Sequence, residues 1–253
     1  MRELTGLAYS PWTEKARWVL DYHRLPYRYR EHLMIFDEPF LRWRLRRLCG
    51  GITVPALIDR VDGTTYRLAD SWEIAQHADQ LGTSAKLFPK RNLEAIQRYN
   101  ALSEMALSSG RALLTGRMKD DREALREALP PFIPALLQRH LLWMARLGLW
   151  YIVHGFGTRA KGPIEHEADL REVLLTLRRD LKKSNDDYLL GEFSYADIAM
   201  SVTLQFVEPV SDKFKRIGPA TRRAWTDPKI AKDFQDLIAW RDRVYAKHRH
   251  FLR

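Results

Sequence analysis

The sequence predicts an α/β domain followed by an all-helical domain. Over residues 1–82, strand and helix patterns follow one another in the order β-α-β-α-β-β-α, which is typical of a mixed sheet packed against helices. From residue 92 onward, only helical periodicities occur. Residues 83–91, which contain Thr, Ser and Pro, form a linker between the two patterns. The predicted domains are therefore 1–82 and 92–253.

The first strand and the first helix meet at a serine and a proline. An apolar run over residues 4–9 predicts a strand, which ends at Ser10 and Pro11. Proline suits the first turn of a helix, because its missing N–H is not needed there. The apolar face of the helix that follows is Ala16, Val19, Leu20 and His23. The Ser10 hydroxyl is therefore predicted at a helix N-terminus, where free N–H groups and the helix dipole stabilise an anion.

Turn residues define the rest of the first domain. Its further predicted elements are a strand at 25–32, a short basic helix at 36–48, a hairpin of 56–59 with 65–68, and a helix from 69. The hairpin is predicted from Asp62-Gly63, which is a strong signal for a tight turn. Pro55 cannot donate within a central ladder, so it marks a sheet edge, a strand start or a cis bond.

The second domain is predicted from helical spacing and from one capping pattern. Its predicted helices span 92–116, 119–128, 132–153, 164–182, 195–207 and 228–247. Ser194 and Asp197 have the spacing of a capping box, with Asp in place of the usual Glu. Phe193 and Ile198 stand where a hydrophobic staple forms. These four residues are predicted to fix the start of a buried helix.

The charge balance leaves three interpretations open. The chain has 42 Lys and Arg against 32 Asp and Glu, a net charge of +10. This excess could bind an anionic small ligand or nucleic acid, or it could form a basic surface without a specific partner. The densest cluster is Arg42, Arg44, Arg46 and Arg47. No nucleic-acid-binding motif accompanies this cluster, so a solvated helix face is favoured and no nucleic acid partner is expected.

Other features of the sequence limit the class of protein and its location. The lone Cys49 excludes an internal disulfide and is predicted to be a small buried residue. The N-terminus lacks the pattern of a signal peptide. The most apolar stretch, residues 141–153, is too short to span a bilayer. A cytoplasmic protein without a membrane partner or a metal is expected.

Four motifs, in this order, resemble those of the glutathione transferase superfamily along nearly the whole chain. The motifs are Tyr9-Ser10-Pro11 leading into Lys15-Ala16-Arg17, Val54-Pro55-Ala56-Leu57, Asp70-Ser71-Trp72-Glu73-Ile74, and Phe193-Ser194-Tyr195-Ala196-Asp197-Ile198-Ala199. The resemblance implies a thioredoxin-like N-terminal domain and an all-helical C-terminal domain. It also implies a serine-type enzyme that uses glutathione as co-substrate, without a metal.

The resemblance assigns roles to individual residues. It implies that Ser10 donates a hydrogen bond to the glutathione sulfur and favours the thiolate. Val54 would offer its backbone to the cysteinyl part of glutathione, next to a cis Pro55. Ser71 would receive the γ-glutamyl carboxylate, and Asp70 would face the ammonium group. Tyr9 is the less favoured sulfur donor, because strand alternation directs it to the opposite face.

The second substrate implied by the resemblance is a small, mostly apolar electrophile bound between the domains. Tyr9, Trp12, Met105 and Ser109 are the candidate residues for that site. A homodimer is expected by the same analogy. Two alternatives remain open: a protein that holds glutathione or another anion without turnover, and an interaction protein that uses its basic surface.

Some positions do not follow the pattern of the superfamily or have other interpretations. The basic residue that meets the glycine carboxylate of glutathione cannot be assigned, and Arg42 and His32 are both candidates. His166 has no second histidine at metal-ligand spacing, so it is interpreted as part of a solvated helix start. Trp143, Trp150 and Tyr151 are interpreted as core residues of a helix.

Overall fold

The computed structural model describes residues 1–33, 37–47, 49–129, 133–155, 161–184 and 187–251. Contacts divide the chain into two compact units. The first unit comprises Met1–Asn100, Ser184–Val202 and Arg243–Arg253, and the second comprises Ala101–Lys183 and Thr203–Asp242. The predicted boundaries at 82 and 92 remain a prediction.

A four-stranded mixed sheet forms the centre of the first unit. The strands are β1 Arg2–Gly6, β2 Arg28–Glu31, β3 Ala56–Val61 and β4 Thr64–Leu68, in the spatial order β2-β1-β3-β4. β1 runs parallel to β2 and antiparallel to β3, and β3 pairs antiparallel with β4. This topology confirms the predicted α/β class.

Helices follow the strands and continue to the end of the chain. In chain order they are α1 Pro11–Tyr22, α2 Glu38–Leu45, α3 Ser71–Leu81, α4 Leu93–Met118, α5 Arg122–Glu127, α6 Ala135–Gln138, α7 Leu142–Gly155, α8 Pro163–Ser184, α9 Tyr195–Thr203, α10 Pro219–Trp225, α11 Pro228–Asp233 and α12 Gln235–His248. No helix among the described residues is long and apolar enough to cross a membrane.

The turn chemistry predicted for the first unit is present. Asp62 and Gly63 both have positive φ, 47° and 77°, as the tight turn between β3 and β4 requires. The pairing of Asp59 with Tyr66 confirms the predicted hairpin. The Val54-Pro55 bond is cis, as the resemblance implies.

The capping segment before α9 is built around one buried carboxylate. Asp197 accepts hydrogen bonds from the Ser194 N–H at 2.9 Å, the Ser194 hydroxyl at 3.0 Å and the Leu189 N–H at 2.8 Å. Burial raises the pKa of Asp197 to about 6 in spite of these donors. The segment therefore fixes both the start of α9 and the chain that precedes it.

The C-terminal end of the chain packs against α1. The Arg249 guanidinium is fully buried and binds Glu14 and Asp21 of α1, at 2.7 Å each. The Trp18 indole N–H donates to the His248 carbonyl at 3.2 Å. We call Arg249, Glu14 and Asp21 the Arg249 cluster. Because burying unpaired charge is costly, each member of this cluster requires the other two.

His248 is held neutral beside that cluster. Its Nε2 lies 2.7 Å from the Tyr188 hydroxyl, and its ring stacks on Phe193 with centroids 3.8 Å apart. Burial, with smaller contributions from the Lys247 and His250 charges, lowers the pKa of His248 to about 4.

Several predicted helices differ from the observed ones. The predicted helix 132–153 is divided into α6 and α7, and its first residue lies outside the described part of the chain. The predicted helix 228–247 is divided at Phe234, which leaves helical geometry (φ −125°, ψ 32°) while its side chain stays buried. The sequence interpretation missed α10, although Gly218-Pro219 is a recognisable helix start.

Smaller corrections concern the first unit. β1 ends at Gly6, so residues 7–9 form a turn in place of the end of the predicted strand. The strand predicted at 25–32 is limited to β2. The predicted basic helix is α2, and residues 36 and 48 lie outside the described residues. Cys49 is exposed, so the expectation that it is buried was wrong.

We expect Arg249→Met to lower the free energy of unfolding by about 3–5 kcal/mol, because it removes the buried cation that both carboxylates bind. Arg243→Met is the matched control. Arg243 pairs with Asp187 at 3.7 Å and both side chains are more than half exposed, so its loss should cost roughly 0–1 kcal/mol. Urea unfolding measures both values. Equal costs for the two variants would contradict the structural role of the cluster.

We expect the stability contributed by neutral His248 to fall on acidification. Its pKa is lowered in the folded chain, so the unfolded chain takes up the proton first. This stability is complete above pH about 6.5 and is lost as the pH falls through about 4. The unfolding midpoint of His248→Gln should therefore change less over this range than that of the wild type. An equal or steeper change in the variant would contradict the assignment.

Candidate active site

Ser10 caps helix α1 at the end of the turn that follows β1, which we call the β1 turn (residues 7–9). Its N–H donates to the Leu7 carbonyl at 2.9 Å, and its hydroxyl oxygen accepts the Thr13 N–H at 3.5 Å. The Thr13 hydroxyl in turn accepts the Leu7 N–H at 3.2 Å. The hydroxyl hydrogen of Ser10 has no acceptor among the described residues and can serve a ligand. Ser10 thus lies at the positive end of a 12-residue helix.

A glycine at the end of β1 makes this turn possible. A Cβ at Gly6 would lie 2.6 Å from the Thr13 side chain, closer than atoms can approach. Because Gly6 leaves this space free, Thr13 can pack against the strand and close the turn that holds Ser10.

The Val54-Pro55 segment lies at the same end of the sheet. Thr5 of β1 pairs with Ala56 of β3, so the residues just before β3 lie beside the end of β1. Among the hydrogen bonds of the described residues, none involves the Val54 backbone N–H or carbonyl. These two groups can therefore pair with an extended ligand in the manner of an added strand.

The start of α3 meets the same edge of the sheet. Leu57 of β3 pairs with Leu68, the last residue of β4, so the chain leaves β4 next to the start of β3. The Thr53 hydroxyl donates to the Ala69 carbonyl at 3.0 Å and joins the two segments. The ends of β1 and β4 and the start of β3 thus converge on one region.

Asp70 and Ser71 have different roles at the start of α3. One carboxylate oxygen of Asp70 accepts the N–H groups of Trp72 at 2.7 Å and Glu73 at 3.3 Å, as an N-cap does. The Ser71 hydroxyl is buried, with 2% of the residue exposed, and forms no hydrogen bond among the described residues. Since buried hydroxyls are normally paired, Ser71 is the polar group here that most needs a ligand.

Helices α1 and α3 lie side by side in the same direction. Their C-terminal ends are joined by His23 and Asp79, whose Nε2 and Oδ1 are 2.9 Å apart, and the same oxygen accepts the Leu87 N–H at 2.6 Å. Gly82 is required there, because a Cβ would lie 2.1 Å from the His23 ring. The positive N-terminal ends of both helices consequently face the same region.

Glu31 is a site residue that sequence reasoning missed. Its carboxylate accepts the Ala8 N–H at 3.0 Å and the Tyr29 hydroxyl at 2.9 Å, so a negative charge lies beside the β1 turn. Burial and the Glu31 charge raise the pKa of Tyr9 above its usual value, although 36% of that residue is exposed. Tyr9 therefore keeps its proton. Trp12, on the first turn of α1, is half-buried.

Met105 and Ser109 lie on α4 in the second unit. Met105 is half-buried, whereas Ser109 is buried. The Ser109 hydroxyl donates to Asp169 at 3.3 Å and lies 3.3 Å from His166 Nδ1. His166 is itself buried, so its interpretation as part of a solvated helix start was wrong. The substrate roles of Met105 and Ser109 remain predictions.

The two basic candidates for a carboxylate partner have internal contacts. Arg42 binds Glu38 at 2.7 Å and donates to the Gly50 carbonyl at 2.9 Å. Burial lowers the pKa of His32, which favours its neutral form. His32 lines a cavity of only about 10 Å³, enough for one water molecule.

No metal-binding cluster of three or more His, Cys, Asp or Glu occurs among the described residues.

The fold and the site together define a thioredoxin-like domain. The mixed sheet, the cis-proline before β3 and the two capped helices are its features, and residues 9–81 match the family model for the glutathione S-transferase N-terminal domain. None of the curated proteins compared matches the chain.

Solved structures share the fold along nearly the whole chain. One is a glutathione S-transferase from Methylobacillus flagellatus KT with glutathione bound (17% identity, TM-score 0.60, covering 98% of this chain and 95% of that one). Another is a glutathione S-transferase from Methylobacterium radiotolerans JCM 2831 in complex with glutathione sulfonate (15% identity, TM-score 0.57, covering 100% and 96%). A third is FzlA from C. crescentus (18% identity, TM-score 0.52, covering 97% and 88%).

Residues 9–81 thus match the glutathione S-transferase N-terminal domain, and the chain as a whole shares the fold of solved glutathione S-transferases. This confirms the resemblance drawn from the four sequence motifs.

We expect Ser10→Ala to cost little stability, at most about 0.5 kcal/mol, because its single capping bond is long. Asp70→Ala should cost about 1–2 kcal/mol, because Asp70 caps α3 with two bonds. Denaturant unfolding of both variants tests this order. A larger loss for Ser10→Ala than for Asp70→Ala would show that Ser10 has mainly a structural role.

Proposed function

We propose that the protein binds glutathione at the N-terminal ends of α1 and α3 and activates it as a thiolate. The observation that carries this proposal is the convergence of two groups on one end of the sheet. These groups are the Ser10 hydroxyl hydrogen and the Ser71 hydroxyl, neither of which has a partner among the described residues. The solved transferase from Methylobacillus flagellatus, which has glutathione bound, supports the choice of ligand.

Each part of glutathione has a complementary group in this region. The γ-glutamyl carboxylate would accept the Ser71 hydroxyl and lie at the positive end of α3. The second carboxylate oxygen of Asp70, which no capping bond uses, would face the ammonium group. The Val54 backbone would pair with the cysteinyl residue. In this proposed arrangement, the sulfur would lie toward α1 and Ser10.

Ser10 would stabilise the thiolate and leave its deprotonation to solvent. A free thiol has a pKa of about 8.5, and a hydroxyl donor at a helix N-terminus lowers it. The thiolate would then attack an electrophilic carbon, forming an S–C bond. The electron pair displaced from that carbon would leave with a leaving group or pass to an acceptor atom that takes a proton from water. Reduction of a substrate is a variant of this chemistry, in which two glutathione thiols supply the two electrons and leave as glutathione disulfide.

The electrophile is proposed to be small and hydrophobic. Tyr9 and Trp12 lie next to Ser10 in the sequence, and their ring surfaces suit an apolar compound. Met105 and Ser109 remain proposed contributors from α4. A homodimeric, cytoplasmic enzyme is part of this proposal by analogy with the superfamily.

Ser10→Ala tests the role of the hydroxyl in turnover. We expect the rate with a model aryl halide to fall about 10- to 100-fold, because the donor to the developing charge is lost. The dissociation constant for glutathione should change less than about threefold, since the other contacts of the tripeptide remain. Stopped-flow kinetics and calorimetry measure the two quantities.

Ser71→Ala is the matched control, because it should weaken glutathione binding and leave turnover at saturation nearly unchanged. An unchanged rate in Ser10→Ala would remove Ser10 from the mechanism. Glutathione binding without turnover in the wild type would support the non-catalytic alternative. No thermal stabilisation by millimolar glutathione would contradict both.

A further inference from the structure

A long part of the second unit lacks negative charge. Between Glu127 and Glu165 the sequence contains no Asp or Glu. The same stretch holds Arg139, His140, Arg146, His154, Arg159 and Lys161. It also contains the most apolar run of the chain, which the proposed function does not use. Helices α6 and α7 lie in this stretch.

Helix α7 buries only one of its sides. Leu142 packs with Leu125 and Leu129 in a hydrophobic cluster that α5 contributes to. On the opposite side, Trp143 is 57% exposed and Trp150 is 56% exposed. The interpretation of these two tryptophans as core residues was therefore wrong, while Tyr151 is half-buried.

Exposed apolar residues lie on both of these helices, α6 and α7. Trp143, Leu147 and Trp150 follow one another at spacings of four and three, so they form one stripe along α7. On α6, Leu136 and Leu137 are 85% and 51% exposed. We call these five residues the α6–α7 face. Large apolar side chains exposed on two consecutive helices indicate a docking surface.

The arginines at this face form no ion pair with a described acidic residue. Arg146 is exposed beside Leu147, and Arg139 lies in the link between α6 and α7. Neither arginine forms an ion pair within the described part of the chain, and Arg139 donates only to His140. The positive charge of the face is therefore available to an external partner.

At a second basic surface with an exposed aromatic residue, the neighbouring arginines are paired with acidic residues. Trp43 on α2 is 70% exposed and stands between Arg42 and Arg44. There, however, Arg42 is paired with Glu38 and Arg44 with Glu3. The two arginines that flank Trp43 are therefore paired, and Trp43 provides a control.

We propose that the α6–α7 face docks the protein on the surface of an anionic lipid bilayer. Tryptophan rings favour the interfacial region of a bilayer, and arginines at the edge of an apolar stripe bind lipid phosphates. The 14-residue α7 would lie in the plane of the interface, since no described helix can cross a membrane. A second copy is disfavoured as occupant, because it would bring unpaired arginines together.

This proposal goes beyond the proposed function and does not depend on it. The groups assigned to glutathione belong to the first unit, whereas the α6–α7 face belongs to the second. It also departs from the sequence-based expectation that the protein has no membrane partner. A failure of glutathione chemistry would leave this proposal unaffected, and the reverse also holds.

Flotation of the full chain with vesicles tests the proposal. We expect binding to vesicles that contain phosphatidylglycerol and none to pure phosphatidylcholine, with loss of binding at high salt. Trp143→Ser/Trp150→Ser should lower vesicle affinity at least about tenfold. Arg139→Gln/Arg146→Gln should lower it about fivefold for each arginine, so about 25-fold together. Trp43→Ser, the matched control, should bind like the wild type.

Unchanged thermal unfolding and an unchanged far-ultraviolet circular dichroism spectrum would show that the variants are folded. The absence of binding to phosphatidylglycerol vesicles at low salt would overturn the proposal. An equal loss in Trp43→Ser would also overturn it. A third contradicting result is a dimer in sedimentation equilibrium that Trp143→Ser/Trp150→Ser converts to a monomer, since the face would then bind a second copy.

Discussion

The buried pairing of Arg249 with Glu14 and Asp21 fixes the helix on which the candidate active site depends. Two carboxylates on one short helix would be costly to bury without a cation, and Arg249 supplies that cation from 235 positions away along the chain. The His23–Asp79 contact fixes the other end of α1 against α3. With both contacts in place, the position of Ser10 follows from the packing of α1.

The same pairing has an electrostatic consequence at the site. Glu14 lies in the first turn of α1, one turn from Ser10, where its charge would oppose a bound thiolate. Arg249 neutralises Glu14 at 2.7 Å, so the positive end of the helix dipole is retained. Glu31 remains on the other side of the turn as a negative charge. The proposed activation of a thiol is therefore a balance between Ser10 and α1 on one side and Glu31 on the other.

Local chemistry explains which parts of the structure could be predicted. The hairpin at Asp62-Gly63, the start of α1 at Pro11 and the buried helix start at Asp197 each depend on neighbouring residues, so the sequence carries their signals directly. The order of the four motifs indicated the superfamily. Ser71 was recognised by resemblance, but only the structure shows that its hydroxyl is buried and forms no hydrogen bond within the described part of the chain.

Long-range packing explains what could not be predicted. Periodicity identifies α7 as apolar, but it cannot show which side of the helix another element covers, so the interpretation of Trp143 and Trp150 as core residues was wrong. The pairing of Arg249 has no local signal at all. Phe234 interrupts a regular helical pattern, and no glycine or proline marks the break. Cys49 is exposed because the segment after α2 lies at the surface.

The ultraviolet absorbance of enzyme-bound glutathione as a function of pH tests the central claim most directly, because it reports the thiolate itself. The account predicts that the bound thiol titrates well below the value of about 8.5 for a free thiol, and that Ser10→Ala raises this pKa toward that value. A bound thiol that titrates at or above the free value in the wild type would contradict the account.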